Sequence, residues 1–283
     1  MTETPLTYEQ LEMQLAAWAE TQPAVRAVLL VGSRARGDAD RWSDLDVLLL
    51  TTERDRYAAG TSWLRSFGDF WLAYAEPTDL GDPEWYAVYE GGLKLDVVMI
   101  QVDEPARELD ALMQPLPYQG VFGRGVRVLF DRNGAPRFLP PKPVVPDAPP
   151  SAAEFGQVVN GFLMASATTA KFIARGDFWR AQNWFAADLR PHLLTMLRCQ
   201  VHGADTWYGG RFMEQWADPR ALAALPVCFP AFERESLQTS LLGMLELFRV
   251  TGEETAAKFG YEYPAATHEK IAALVANILS DLL

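Results

Sequence analysis

The residues best suited to do chemistry lie in GSRARGDADRWSDLDVLLL, positions 32–50. A Gly-Ser pair closes one apolar run there, and Asp44 and Asp46 open the next, flanking Leu45. Side chains at i and i+2 of a strand share a face, so the two carboxylates stand side by side. Carboxylates at the start of a buried strand carry a desolvation cost unless they are paired or bind metal. Mg²⁺ takes oxygen ligands, commonly one or two carboxylates together with substrate phosphates. In phosphoryl-transfer sites two such ions lie about 3.5–4 Å apart, and a carboxylate pair can bridge them. Gly32 allows a phosphate to approach the backbone closely. Ser33 adds a hydroxyl and an N–H, and the polar turn behind it can present further N–H groups to an anion. The pattern reads as a phosphate grip on one strand end beside a metal grip on the next.

A third acid is needed to complete the ligand set and to take a proton. Asp96, which interrupts the apolar run LKLDVVMI, is the candidate. Its other reading is a salt bridge with Lys94, two residues away on the same strand face. Three clustered carboxylates raise one another's pKa in the absence of cations, and a divalent ion reverses this. Arg34 follows the Gly-Ser pair and reads either as a phosphate contact or as a loop charge. Lys171 and Arg175, four apart on one helix face, read either as cations for nucleotide phosphates or as solvated charges. His192 reads as a core or capping histidine.

Hydrophobic periodicity supplies the elements that must position these groups. A helix is expected over Thr7–Trp18, with Thr7 and Gln10 forming a capping box. Strands are expected over Val25–Val31, Leu45–Leu50, Phe70–Ala75, Trp85–Tyr89, Leu93–Gln101 and Val126–Phe130. Helices are expected over Asp55–Phe67 and Asp103–Met113. This alternation predicts an α/β (α+β) domain with a mixed sheet over residues 1–135. APRFLPPKPVVPDAPP then holds seven prolines, which read as a stiff linker over 136–150. Beyond it β signals nearly vanish. Helices are expected over Phe155–Ala174, Phe178–Val201, Phe232–Val250, Glu253–Phe259 and His268–Leu282. Gly176, Gly203, Gly252 and Gly260 read as C-caps. Residues 151–283 therefore read as an all-α helical bundle domain.

The bulk numbers narrow the partners. A net charge of −12 over 283 residues argues against general binding to nucleic-acid backbone. Residues 69–110 hold eleven acids against Lys94 and Arg107 alone, which reads either as a solvated acidic face or as a cleft that attracts a cation. Two cysteines make no disulfide framework, and no Cys/His spacing suggests zinc. The start MTETPLTYEQ has neither the basic nor the apolar segment of a signal peptide, and no window is long and apolar enough to span a bilayer. The expectation is a soluble, cytoplasmic protein without membrane partners; its oligomeric state is not legible.

GSRARGDADRWSDLDVLLL resembles the signature of the polymerase-beta-like nucleotidyltransferase superfamily. Within it the chain resembles the aminoglycoside 6-adenylyltransferases, also called streptomycin adenylyltransferases. EPTDLG (76–81), GGLKLDVVMI (91–100), VRVLFDRNG (126–134), FIARGDFWRAQ (172–182) and FGYEYP (259–264) carry that likeness. The resemblance implies a nucleotidyltransferase domain followed by a helical substrate-binding domain. It also implies ATP as co-substrate with Mg²⁺, two ions being expected, and transfer of AMP to a drug hydroxyl with release of pyrophosphate. By position, Gly32 and Ser33 would hold the triphosphate, Asp44 and Asp46 the metal, and Asp96 would be the third carboxylate. The acceptor would be a small, cationic, hydroxylated molecule, streptomycin-like. Asp82, Glu84 and Glu90 are near enough in sequence to line its pocket and pair with its cations. Trp85, Tyr86 and Tyr89 would stack on it or be half-buried core. Two other readings stay open: a different acceptor (a lincosamide, a metabolite or a protein hydroxyl), or a catalytically silent nucleotide-binding module.

Overall fold

The structure, a computed structural model, describes residues 6–102, 124–132, 138–139, 148–203, 206 and 208–280. The chain divides into two compact units, Met1–Val144 and Val145–Leu283. The expected helix over Asp103–Met113 lies outside the described residues.

The N-terminal unit is a seven-stranded mixed sheet with helices. Its strands are β1 (Val25–Val31), β2 (Leu45–Thr51), β3 (Phe70–Pro77), β4 (Pro83–Tyr89), β5 (Lys94–Gln101), β6 (Val126–Asp131) and β7 (Phe138–Leu139). They lie in the order β3-β4-β5-β2-β1-β6-β7. Among the described residues, β2 and β5 are the only parallel pair and the other pairs are antiparallel. The two-residue β7 falls within the proline-rich stretch and pairs with β6.

Helix α1 (Tyr8–Thr21) begins as its residues dictate. Gln10 N–H donates to Thr7 Oγ1 at 3.2 Å and Thr7 N–H to Gln10 Oε1 at 2.9 Å, closing the capping box. Leu11, Leu15 and Trp18 fall on one helix stripe and bury against alternate strand residues: Val28, Leu30, Val47, Leu49, Leu95 and Val97. Trp18 also packs on Tyr57, Trp63 and Phe67. These last residues belong to α3 (Arg54–Ala58) and a 3₁₀ segment (Ser62–Phe67), where the sequence predicts one helix over Asp55–Phe67. Ala59, Gly60 and Thr61 separate the two turns, and glycine followed by a β-branched residue disfavours one continuous helix through them. The residues of opposite parity, Ala27, Leu29, Val31, Leu48, Leu50 and Ile100, form a smaller cluster on the other sheet face. β1 and β2 are thus buried on both sides over Ala27–Val31 and Val47–Leu50, as these apolar runs require.

The C-terminal unit is helical throughout its described elements. α4 (Ala152–Ala174) starts at a capping box of Ser151 and Glu154. α5 (Phe178–Trp184), a wide π turn (Phe185–Leu189) and α6 (Arg190–Gln200) follow. The short α7 (Met213–Trp216) and α8 (Pro219–Ala224) precede α9 (Arg234–Phe259) and α10 (Ala265–Ser280). Phe162 of α4 stacks on Phe248 of α9 with centroids 3.8 Å apart, at the middle of the core.

One expected break is absent. Gly252 does not cap a helix: α9 runs through it and ends at Gly260, whose φ of +73° supplies the left-handed C-cap. Gly252 serves packing instead, since a Cβ there would sit 2.5 Å from Tyr263 Cε2. Gly252→Ala gains helix propensity but must push that ring, so the C-terminal unit should lose about 1–3 kcal/mol, read by urea denaturation.

Candidate functional site

β1 ends at Val31, paired with Asp46 of β2, and the chain turns at once into α2 (Gly32–Arg36). The sequence suggests only a polar turn here; the structure makes it one helical turn, closed by Gly37 at φ +79°. Gly32 itself has φ +70°, and a Cβ on it would lie 3.1 Å from Asp46 Cγ and closer still to Oδ2. The missing side chain at Gly32 is what lets the Asp46 carboxylate lie against the backbone.

Asp96 is the register partner of Asp46 across the parallel β2–β5 pair. Asp44 lies two residues before Asp46, so all three acids belong to one sheet face. That face is opposite to the one covered by α1. Lys94, two residues before Asp96, joins them: its Nζ donates to Asp44 Oδ2 at 3.0 Å and to Asp96 Oδ2 at 2.8 Å. The sequence offers the Lys94–Asp96 salt bridge as an alternative to a functional Asp96. The structure contains that bridge, inside the carboxylate cluster rather than apart from it.

The electrostatics follow from burial. Asp96 is 12% exposed, and its Oδ1 is buried without a hydrogen-bond partner. Desolvation pushes its pKa up to about 6; Lys94 pulls it down, and the neighbouring Asp46 and Asp44 push it further up. For Lys94, burial opposes the charge, but the bonds to Asp96 and Asp44 outweigh it and hold the pKa above the ordinary lysine value.

The acceptor candidates separate by strand parity. Glu84, Tyr86 and Val88 share the carboxylate face, while Trp85, Ala87 and Tyr89 are buried on the α1 side. Trp85 and Tyr89 are therefore core, not a stacking platform. Trp85 Nε1 donates to Tyr57 O and Tyr89 Oη to Leu64 O. Tyr86 takes that place. It is the register partner of Asp96, and its ring lies 5.5 Å from Lys94 Nζ and stacks on Tyr74 of β3 at 5.1 Å. Tyr86 Oη donates to Glu84 Oε2 at 2.7 Å, and Glu76 is the register partner of Glu84. Tyr74, Glu76 and Lys94 were not among the sequence candidates. The signal that finds them is two-residue parity, carried outward from Asp96 across each neighbouring strand.

The remaining candidates lie elsewhere. Asp82 pairs with Arg54 at 3.1 Å. Glu90 lies beyond β4, in a groove lined by Gln10, Met13 and Gln14 of α1 with Asp69 and Gly91. Arg34 is occupied: Nε and Nη2 donate to the carbonyls of Ser43 and Asp44, and its guanidinium lies 3.5 Å over the Tyr8 ring. It ties α2 to the residues that lead into β2, which makes it a positioning group. Lys171 and Arg175 belong to the C-terminal unit, exposed at the end of α4.

The donor set suits a hard cation: three carboxylates, one with an orphaned buried oxygen, beside a glycine that holds no Cβ. Among the described residues, no three Asp, Glu, His or Cys side chains are arranged as they would be around a bound ion. Between Asp44 and Asp96 stands the Lys94 ammonium. Among the described residues, no helix is long and apolar enough to cross a membrane.

The model of the streptomycin adenylyltransferase family matches residues 7–278. A curated aminoglycoside 6-adenylyltransferase from Staphylococcus aureus is 22% identical over 281 residues, covering 91% of this chain and 94% of that protein. The crystal structure of an aminoglycoside 6-adenyltransferase from Bacillus subtilis is 20% identical and covers 96% of this chain and 99% of its own, with a TM-score of 0.45. A nucleotidyltransferase-like protein from Exiguobacterium sibiricum is 12% identical, with a TM-score of 0.33, over 87% of this chain and 77% of its own. With a match that runs through both the sheet unit and the helical unit, the chain belongs to the streptomycin adenylyltransferase family and is a nucleotidyltransferase.

Proposed function

We propose that this enzyme transfers AMP from ATP to a hydroxyl of a cationic, streptomycin-like aminoglycoside and releases pyrophosphate. The observation that carries this reading is the convergence of Asp44, Asp46 and Asp96 on one sheet face beside the Gly32–Ser33 turn. Asp44, Asp46 and Asp96 would hold Mg²⁺, which when bound supplies positive charge against the triphosphate. Ser33 offers a hydroxyl, which has no partner among the described residues, and a backbone N–H toward phosphate oxygens. The acceptor oxygen attacks the α-phosphorus as the bond to the β-phosphate bridging oxygen breaks. The proton of the hydroxyl passes to a carboxylate oxygen of Asp96. The rest of the acceleration is alignment and electrostatics.

Beside Asp96, Tyr86 and Tyr74 present stacked rings, and Glu84 and Glu76 present carboxylates. That combination favours an acceptor with a sugar-like face and guanidinium or ammonium groups. Pyrophosphate release from ATP and Mg²⁺ across aminoglycosides and lincosamides tests the reading. Turnover is expected with streptomycin; turnover on a lincosamide alone would overturn the acceptor, and none on any compound would leave the silent-module reading. Glu84→Gln should raise KM for the aminoglycoside about tenfold with little change in kcat, the loss of one charge-assisted hydrogen bond.

A further inference from the structure

We propose that Lys94 is the internal counter-ion of the carboxylate cluster: it holds Asp44 and Asp96 together in the metal-free protein, and an arriving divalent cation displaces it. The inference rests on the reading that Asp44, Asp46 and Asp96 take such a cation.

Three features lead to it. Lys94 Nζ bonds both carboxylates at once, at 3.0 and 2.8 Å, so one monovalent cation does the bridging that a carboxylate pair offers to a divalent one. The compensation is incomplete. Asp96 keeps one oxygen buried without a hydrogen-bond partner. A buried carboxylate oxygen left without a hydrogen bond bears its full desolvation penalty. The cluster therefore retains a demand for positive charge. Lys94 is also free to leave. Its side chain is 37% exposed, and the Tyr86 ring face, 5.5 Å from Nζ, is an alternative place for the ammonium.

A cation must break the two lysine bonds to bind, so Lys94 weakens metal binding while it stabilises the empty site. A unit charge this close, at the screening of a half-exposed site, is worth at least about tenfold in affinity. Mn²⁺ binding to the full chain, followed by the electron paramagnetic resonance of free Mn²⁺, tests this without reference to turnover. Lys94→Met should bind Mn²⁺ about tenfold or more tighter than wild type, and Lys94→Arg, which keeps the charge, should not. Equal or weaker binding by Lys94→Met overturns the counter-ion role while leaving the metal reading intact. No binding by either protein overturns the metal reading, and the proposal with it. A second measurement needs only wild-type protein: acetylation of the five lysines, quantified by peptide mass spectrometry with and without Mg²⁺. Lys94 alone should become several-fold more reactive when Mg²⁺ is added; unchanged reactivity at saturating Mg²⁺ overturns displacement.

Discussion

Asp96→Asn is expected to lower kcat for pyrophosphate release by on the order of 10²–10³, the scale seen when one preorganised polar group is removed from a transition-state site. The substitution keeps the shape of the side chain but removes its charge and its capacity to take a proton. The same variant should be no less stable than wild type in metal-free buffer at neutral pH, because it relieves the burial of a carboxylate. The pH dependence makes the point separately. Asp96 binds its proton more tightly in the folded protein, with a pKa near 6, than at its ordinary value of 3.8. The folded state then holds more protons than the unfolded state between these values, so stability falls as pH rises through that window. Urea denaturation in EDTA from pH 4 to 7 should show the decline for wild type and a flatter curve for Asp96→Asn. A variant with wild-type turnover would remove Asp96 from the mechanism.

Gly32→Ala should cost on the order of 10² in kcat, the penalty of displacing a catalytic group by about 1 Å. Two effects combine at this position, and Gly37 separates them. Both glycines have positive φ, +70° and +79°, so alanine at either carries left-handed strain of about 1–2 kcal/mol. At Gly37 nothing lies within 4 Å of the added Cβ, whereas at Gly32 the Cβ runs into the Asp46 carboxylate. Gly37→Ala should therefore lower thermal stability and keep kcat. Gly32→Ala should lower stability at least as much and also move Asp46. Equal kcat values for the two variants would show that the close approach of Asp46 to Gly32 is not used in catalysis.

Much of the architecture is written locally. Ala27–Val31 and Val47–Leu50 are buried on both faces, and apolar runs of that kind call for a strand covered on both sides. Thr7 with Gln10 and Ser151 with Glu154 start their helices because a hydroxyl and an amide or carboxylate three residues on satisfy orphaned N–H groups with no help from elsewhere. Asp44, Asp46 and Asp96 could be nominated for the same kind of reason: an acid inside an apolar strand costs free energy that some partner must offset.

What the chain alone left undecided is each choice that depends on who stands next to whom. Trp85 and Tyr86 are adjacent and similar in type, yet one is core and the other faces the carboxylates. That outcome is set by the register of β4 on β5, which pairs Tyr86 with Asp96. Arg34 carries the right charge for a phosphate, but the fold brings the Ser43 and Asp44 carbonyls and the Tyr8 ring to it first. Gly252 looks like a stop because glycine usually is one, and only the tertiary position of Tyr263 shows that the residue was needed for room. Sequence thus determined the elements and the charged groups, since propensity and desolvation act within a few residues. Strand register and packing decided which of those groups meet, because contacts between distant segments are selected by the folded core as a whole.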